Sequence, residues 1–284
     1  MRFTSYEISG AAGYGLVTDE NKLTTAKGDL AQQYPDLKSV IEGGALEEVG
    51  KSLSAQSPDT DMDSVTMLPV IPNPGKIFCI GLNYKDHRDE GGWDDTDHPS
   101  VFTRFPESQT GHNCRMLMPK ESDKFDFEAE LVAVIGKGGR RVSKEDALKH
   151  ICGYSCYNEG SVRDYQRHNT QWIPGKNFCE TGAFGPWMVT ADEIPDPTVM
   201  TIETRLNGEV MQHSTTDLLI FPIPVLINYI TTFVPISPGD IIVTGTPGGV
   251  GARRDPQIWM KDGDKVEIEI SGIGILQNTV VKEK

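Results

Sequence analysis

The segment Phe125–Gly136, with the sequence FDFEAELVAVIG, constrains the fold of this chain most strongly. It alternates acidic and apolar residues and then becomes continuously apolar, as a strand does when it runs from a polar site into a core. Side chains two apart share a strand face, so one strand here places Asp126, Glu128 and Glu130 together. Buried carboxylates repel one another unless a cation lies between them. An acidic, solvated edge strand is the alternative, and the apolar continuation favours a metal site.

The rest of the chain carries more strand patterns than helix patterns. Asn207-Gly208 between two alternating segments predicts a tight hairpin. Helical patterns are fewer, at Lys144–His150, Ser161–Arg167 and Val225–Phe233. Because strands do not alternate with helices, we expect an α+β, strand-rich fold rather than a doubly wound parallel sheet. The further predicted strands are Lys76–Leu82, Thr201–Leu206, Val210–His213, Asp240–Thr244 and Lys265–Ile270.

A change in amino-acid composition near residue 70 predicts two domains. The polar run Ser52–Asp63 is followed by a proline-rich stretch from Leu68 that leads into the first strongly apolar strand. Such stretches are typical of domain boundaries. We therefore expect a small N-terminal domain in residues 1–70 and a larger catalytic domain in residues 71–284.

The formal net charge of −14 opposes binding to nucleic acid or to an anionic membrane surface. The most apolar stretch, Leu218–Ile236, is interrupted by prolines, so we expect a buried helix and no membrane span. Five cysteines without close pairing suggest a reducing compartment. The N-terminus has no basic segment followed by an apolar core. These features together predict a cytoplasmic protein.

A third acidic residue, Glu159, is the expected partner of Glu128 and Glu130. It ends the apolar run GYSCYNE and precedes Gly160, which leaves room for the carboxylate to reach a pocket. The alternative is a residue that stabilises a helix start through the helix dipole. Ligands that are all oxygen favour Mg²⁺, Mn²⁺ or Ca²⁺ over zinc or copper.

Two other segments have the composition of a site. His87 and Glu90 are three residues apart, so on a helical turn the carboxylate can orient the imidazole and raise its basicity. The acidic loop WDDTDH that follows them has the composition of a lid. The glycine-rich turn from Thr244 to Gly251 can bring Thr246 and backbone N–H groups to a small anion. A structural role for the histidine is the alternative.

These segments, in this order, resemble the fumarylacetoacetate hydrolase family. Six motifs carry the resemblance across about Lys76 to Val281: GLNYKDHRDE, DFEAELVAVIGK, GYSCYNEGSVRDYQ, PGKNF, NGEVMQ and PGDIIVTGTPGGVG. The resemblance implies a mixed β-sandwich roll that dimerises, and Mg²⁺ or Mn²⁺ held by three carboxylates. Glu128 and Glu130 match the paired ligands, and Glu159 matches a third position where family members usually have Asp.

The resemblance also implies a reaction. A 2,4-dioxo acid of the acylpyruvate type would be hydrolysed at a C–C bond, giving a 2-oxo acid and a carboxylic acid. His87, oriented by Glu90, would activate the water, and Lys176 would stabilise the oxyanion. The substrate would be positioned by Tyr84, Arg163, Gln166 and Thr246. Decarboxylation of oxaloacetate-like acids, hydration or isomerisation of unsaturated 2-oxo acids, and a non-catalytic metal- or ligand-binding module are the alternatives.

Overall fold

The computed structural model describes residues 1–18, 21–92, 94 and 96–284. Trp93 and Asp95 of the predicted lid lie outside the described residues. Among the described residues, no helix combines the length and the apolar character that a membrane crossing requires.

The described residues form many short strands and a few helices. The strands are β1 Arg2–Ile8, β2 Ala11–Val17, β3 Lys22–Thr25, β4 Thr60–Asp61, β5 Thr66–Met67, β6 Ile77–Gly81, β7 Ser100–Thr103, β8 Gln109–Thr110, β9 Arg115–Met118, β10 Phe125–Asp126, β11 Ala129–Ile135, β12 Ile151–Glu159, β13 Ser161–Val162, β14 Gly182–Thr190, β15 Thr201–Leu206, β16 Glu209–Thr215, β17 Ile241–Val243, β18 Lys265–Ile270 and β19 Gly274–Lys282. The helices are α1 Asp29–Gln33, α2 Leu37–Glu42, α3 Leu46–Ser54, α4 Lys85–Gly91, α5 Arg163–Gln166, α6 Ile173–Lys176 and α7 Ile223–Phe233. Single 3₁₀ turns occur at Met62–Ser64, Pro106–Ser108, Ala147–His150, Thr216–Leu218 and Gly251–Arg253.

Two sheets of mixed direction dominate the fold. The larger sheet has the order β4-β3-β2-β1-β14-β12-β11-β17-β6-β7, with β5 added beside β1 and β8 beside β14. The smaller sheet has the order β16-β15-β18-β19-β9, and β10 pairs with β13 in a separate ribbon. Both sheets contain one parallel pair or more among antiparallel neighbours. The expected α+β, strand-rich class is confirmed.

Strand β11 is buried on both faces, which explains its continuous apolar sequence. Leu131 and Ala133 belong to the core shared with the smaller sheet, where Ile268 lies. Val132 belongs to a second core, which includes Leu37 of α2. Since successive strand residues alternate between faces, one strand supplies both cores. The strand end that carries the acidic residues is therefore fixed in place by packing on two sides.

The first 70 residues are joined to the body by hydrogen bonds and by packing. β1 pairs with β14 through Arg2 and Phe3, so the N-terminal strands extend the larger sheet. Asp36 caps α2 by accepting from the Ser39 amide at 2.7 Å. The apolar side of α2 then packs into the second core. The predicted domain boundary near residue 70 stays a prediction.

Several predicted elements match the structure closely. Strand β18 has the predicted bounds, and α7 begins two residues before the predicted start. The predicted hairpin joins β15 to β16, and Asn207 and Gly208 both have positive φ, of 53° and 83°. Two consecutive positive φ values define the type I′ turn that fits the twist of paired strands.

Three predicted elements were wrong in extent. Phe125–Gly136 is not one strand: β10 pairs with β13, and β11 pairs with β12 and β17. At the break, the Glu128 amide donates to the Asn158 side chain at 3.1 Å, so the lost strand pairing is replaced. Lys144–His150 is reduced to one 3₁₀ turn, because Ala147 is its only apolar residue in the core. Ser161–Arg167 begins as a strand and contains a single helical turn.

Candidate metal centre and active site

Strand register brings the three predicted glutamates together. Ala129 of β11 lies opposite Asn158 of β12, and one step further the Glu159 amide donates to the Glu128 carbonyl at 2.9 Å. Glu130 lies two residues along, on the same side as Glu128. One carboxylate oxygen from each of the three residues lies within 4.8 Å of the others, and all three side chains are buried. This arrangement is the oxygen-rich cluster that the sequence predicted.

Two buried cations contact this cluster. The Lys176 Nζ lies 2.7 Å from Glu128 Oε2 and 2.8 Å from Glu159 Oε2. The Arg163 Nη1 lies 2.6 Å from Glu128 Oε1. Lys176 is the last residue of the short helix α6, which has a proline in its first turn, and Arg163 is the first residue of α5. The sequence suggested both as substrate-contacting groups but did not show that they are ion-paired to the acidic cluster.

Asp126 does not join the three glutamates, contrary to the prediction that it shares their face. The strand break at Phe127–Glu128 turns it away, and its carboxylate accepts from Arg163 Nε at 2.7 Å. It also accepts from the backbone amides of Gly251 and Ala252 at 2.8 and 3.0 Å. Asp126 therefore connects the start of α5 to the 3₁₀ turn that follows the glycine-rich segment. Asp126 thus positions two walls of the site instead of facing the same way as the glutamates.

The charge of the cluster favours a divalent cation. Four buried carboxylates and two buried cations are in mutual contact, which leaves two negative charges in a region from which water is largely excluded. Glu159 Oε1 is buried and has no hydrogen-bond partner among the described residues. An unpartnered carboxylate oxygen is costly in such a place, and coordination would satisfy it. The residues present fit an ion such as Mg²⁺ or Mn²⁺.

The electrostatics of the glutamates differ within the cluster. Burial raises the pKa of the Glu130 carboxyl well above its usual range, and the charges of Glu159 and Glu128 raise it further. Burial acts in the same direction on Glu128, but Arg163 and Lys176 outweigh it and lower the pKa of Glu128 to about 2. The ionised form of Glu130 is therefore the least favourable in the cluster, and a bound cation would stabilise it.

His87 and Glu90 form the predicted pair on helix α4. The His87 Nδ1 lies 2.7 Å from Glu90 Oε1, and the imidazole is 9% exposed. Glu90 Oε2 accepts from the Gly249 amide at 2.9 Å, so the glycine-rich turn holds the carboxylate in place. With Nδ1 donating to Glu90, the Nε2 atom is left as the proton acceptor.

The glycine-rich turn contacts the site through its backbone. The Gly245 amide donates to Glu130, at a position where φ is 108° and an added Cβ would lie 2.7 Å from the Asn83 Cβ. Thr246 Oγ1 accepts from Gln212 Nε2 at 2.8 Å. The same Gln212 accepts from the Ala129 amide at 3.0 Å, which links the hairpin to the strand of the glutamates. The amides that were expected to bind a small anion thus bind carboxylates of the protein.

One cavity of about 440 Å³ contains nearly all of the predicted side chains. Its lining includes His87, Glu128, Glu130, Glu159, Lys176, Arg163, Gln166 and Thr246. Tyr84 does not line it: the side chain is fully buried, and its hydroxyl has no hydrogen-bond partner among the described residues. Burial and the charge of Glu130 raise the pKa of the Tyr84 phenol. Tyr84 contributes to the packing behind the site, so direct substrate contact by Tyr84 stays a prediction.

Arg104 is a buried cation that the sequence left without a role. Its guanidinium donates to Thr181 Oγ1 at 2.7 Å and to the Gly160 carbonyl at 3.2 Å. Ser108 is a further acceptor, at 3.1 Å. These acceptors are neutral, and the contact to Gly160 is next to Glu159. The signal in the sequence was an arginine inside the apolar segment VFTRF.

Comparison with known proteins agrees with this geometry. The family model described as fumarylacetoacetate (FAA) hydrolase C-terminal matches residues 76–281. The mitochondrial oxaloacetate tautomerase FAHD2A of Bos taurus is 39% identical over 238 residues, which are 83% of this chain and 76% of that protein. The fumarylacetoacetate hydrolase domain-containing protein 2 homolog of Dictyostelium discoideum is 43% identical over 218 residues, 73% of this chain and 72% of that protein.

Solved structures show the same architecture. A fumarylacetoacetate hydrolase from Exiguobacterium antarcticum is 31% identical, with a TM-score of 0.82 and complete coverage of both chains. A maleylpyruvate hydrolase from Sphingobium sp. SYK-6, solved with manganese(II) and pyruvate, is 25% identical with a TM-score of 0.82, again with complete coverage of both. With the match over residues 76–281, these findings show that the chain belongs to the fumarylacetoacetate hydrolase family.

Proposed function

We propose that this chain is a divalent-metal-dependent enzyme that interconverts the enol and keto forms of a small 2-oxo acid of the oxaloacetate type. The observation that carries the proposal is that His87, which is paired with Glu90, lines the same cavity as the three-glutamate cluster. Proton transfer and stabilisation of an enolate are the two requirements of such a reaction. The relatives named oxaloacetate tautomerases support this substrate class.

Glu128, Glu130 and Glu159 would hold the ion, with Mg²⁺ and Mn²⁺ as the preferred candidates and Ca²⁺ as a further one. When bound, a divalent cation supplies Lewis-acid polarisation of a substrate carbonyl. Manganese in the maleylpyruvate hydrolase structure supports this choice of ion. The charges of Arg163 and Lys176 lower the pKa of the Glu128 carboxyl to about 2, so this residue is ionised at neutral pH, as a metal ligand must be.

His87 carries the proton transfer in this proposal. Its Nε2 takes the proton of the enol hydroxyl and returns a proton to the adjacent carbon, which becomes the methylene of the keto form, so the number of protons on the substrate is unchanged. Glu90 holds the imidazole in the tautomer that leaves Nε2 available and stabilises the positive charge when His87 is protonated. Lys176 uses two of its three N–H donors on glutamates, which leaves one for a substrate oxygen. Arg163 and Gln166 are linked at 3.0 Å and would position the substrate carboxylate.

Hydrolysis of an acylpyruvate at a C–C bond is the second candidate. The same His87 Nε2 would take a proton from water instead of exchanging one with carbon. The solved maleylpyruvate hydrolase with bound pyruvate supports this candidate. Both reactions use the enolate, and they differ in whether water attacks the distal carbonyl.

A turnover assay separates these candidates. Protein treated with EDTA and then given Mn²⁺ or Mg²⁺ is mixed with enol-oxaloacetate, acetylpyruvate or fumarylpyruvate, and enol absorbance is followed together with pyruvate formation. Faster loss of the oxaloacetate enol without pyruvate is the expected result. Pyruvate with a carboxylic acid from an acylpyruvate would identify the hydrolase instead, and pyruvate with CO₂ would identify a decarboxylase. No turnover of any substrate by metal-loaded protein would contradict both candidates and favour a binding module.

A homodimer is part of the proposal and rests on the family resemblance. Light scattering during gel filtration is expected to give twice the chain mass of 31.3 kDa. A cytoplasmic location stays a prediction, because several of the relatives carry the word mitochondrial in their names.

A further inference from the structure

The opening of the active-site cavity carries two arginines that form no salt bridge with any described residue. Arg167 and Arg253 both line the cavity, and both are exposed to solvent. Neither guanidinium forms a hydrogen bond or a salt bridge with any residue that the structure describes. Arg163 and Lys176, deeper in the same cavity, are both ion-paired with glutamates. The inner cations of the cavity are therefore paired with carboxylates, whereas the two arginines of the rim form no salt bridge among the described residues.

This basic rim is built into the site and does not depend on chance exposure of long side chains. Arg167 follows α5 and lies four residues after Arg163, so the two start from the same side of the turn. Arg253 ends the 3₁₀ turn whose first two amides donate to Asp126. Since Asp126 also accepts from Arg163, one buried carboxylate fixes both segments that carry the rim arginines.

The two arginines are close enough to repel each other. Partial burial lowers the pKa of Arg167, and the charges of Arg253 and Arg163 lower it further. An anion bound between the guanidinium groups would relieve the repulsion and use their forked donors.

A carboxylate of the substrate is the anion that fits this place. The cavity wall also includes Ile80, Phe102 and Val250, whose apolar side chains suit a hydrocarbon linker. Arg163 Nη2 is buried without a hydrogen-bond partner among the described residues, and it lies on the inner side of the same basic series. A 2-oxo acid placed at the glutamate cluster would extend its far end toward the rim.

We propose that Arg167 and Arg253 form a second carboxylate subsite, so that the enzyme acts on dicarboxylic 2-oxo acids in preference to monocarboxylic ones. This inference rests on the proposed function for the orientation of the substrate, with its 2-oxo end at the glutamate cluster. The rim arginines would therefore select substrates that carry a negative charge at both ends.

The test measures binding without turnover. Isothermal titration of the Mn²⁺-loaded protein compares 2-oxoglutarate with 2-oxopentanoate, which has the same chain length and lacks the distal carboxylate. Wild-type protein is expected to bind the diacid more tightly. Arg167→Gln and Arg253→Gln should each reduce the ratio of diacid to monoacid affinity by about fivefold, and the double variant by about twentyfold, as expected for solvent-screened charge pairs. Arg167→Lys and Arg253→Lys should retain part of the ratio.

Arg141→Gln is the matched control, because Arg141 is exposed, does not line the cavity and carries the same charge. An equal loss of the ratio in this control would assign the effect to net charge and overturn the proposal. Equal binding of the two acids by the wild type, or binding of neither at millimolar concentration, would also overturn it. If the diacid preference depends on both arginines but enol turnover is absent, the subsite stands and the proposed reaction fails. Turnover without a diacid preference gives the opposite conclusion.

Discussion

Replacement of Glu130 by Gln tests the metal centre most directly. The substitution keeps the size of the side chain and an oxygen that can accept from the Gly245 amide. It removes one of the three carboxylates that we propose as metal ligands and one of the two surplus negative charges in the buried cluster. We therefore expect Glu130→Gln to lose the stabilisation by metal without loss of the fold.

The magnitude follows from linkage. An ion present at about 100 times its Kd stabilises the folded protein by about 2.7 kcal/mol. The entropy of unfolding is about 2.1 cal/mol/K per residue, or about 0.6 kcal/mol/K for a chain of 284 residues, so Tm rises by about 4–5 °C. For Glu130→Gln the expected shift is below about 1 °C at the same ion concentration. Without metal, loss of like-charge repulsion worth about 1 kcal/mol raises Tm of the variant by about 1–2 °C.

The assay is thermal unfolding of EDTA-treated protein with and without Mn²⁺, followed by circular dichroism or calorimetry. Glu121→Gln is the control, since Glu121 is exposed and the change in net charge is identical. This control should respond to Mn²⁺ as the wild type does. A full Mn²⁺ shift in Glu130→Gln, or no shift in the wild type, would refute the assignment of the metal to this cluster.

Three further predictions concern catalysis, packing and pH. His87→Ala should lower kcat for enol–keto conversion by at least about 100-fold and leave the Mn²⁺ thermal shift in place, because its role is proton transfer; loss of the shift would contradict that role. Gly160→Ala should lower the free energy of unfolding in urea by about 3 kcal/mol or more, because the added Cβ would lie 2.0 Å from the Thr181 carbonyl oxygen. Gly208→Ala is the comparison: its Cβ would have no heavy atom within 4 Å, so the cost should be about 1 kcal/mol. Burial lowers the pKa of His112 from 6.5 to about 4, so on acidification the unfolded state takes up this proton at a higher pH than the folded state does. The free energy of unfolding should therefore fall by about 2 kcal/mol as the pH drops from about 6.5 to about 4. His112→Asn retains an acceptor for the Gln277 amide and should flatten that pH dependence; an unchanged slope would refute the assignment.

The family motifs could be found in the sequence because each depends on local rules. The His87–Glu90 pair needs one helical turn, and the Asn207-Gly208 hairpin needs two residues with positive φ. Glu128 and Glu130 are two residues apart, so they face the same way wherever that short segment is extended. These features can therefore be predicted correctly even where the predicted bounds of a helix or strand are wrong by a few residues.

Contacts between distant segments could not be obtained from local patterns. Lys176 reaches Glu128 across 48 residues, and Gln212 reaches Ala129 across 83. The alternation in Phe125–Gly136 suggested one face for all three acids, but side-chain amides from elsewhere replace the strand pairing at the break and turn Asp126 away. The contacts of Arg104 could not be predicted for the same reason, since two of its neutral acceptors, Gly160 and Thr181, come from segments far along the chain.

Local patterns in the chain were enough to predict the strand-rich class, the hairpin, the acidic cluster and the histidine pair, because apolar alternation and residue spacing act over a few positions. The three-dimensional fold set the charge balance of the site, in which two cations offset four carboxylates and leave a net negative charge that favours a divalent ion. It also decided that Arg167 and Arg253 share one cavity opening. Electrostatic energy depends on distances in space. In this protein the register of β11 and β12, together with the segments that Asp126 connects, sets those distances.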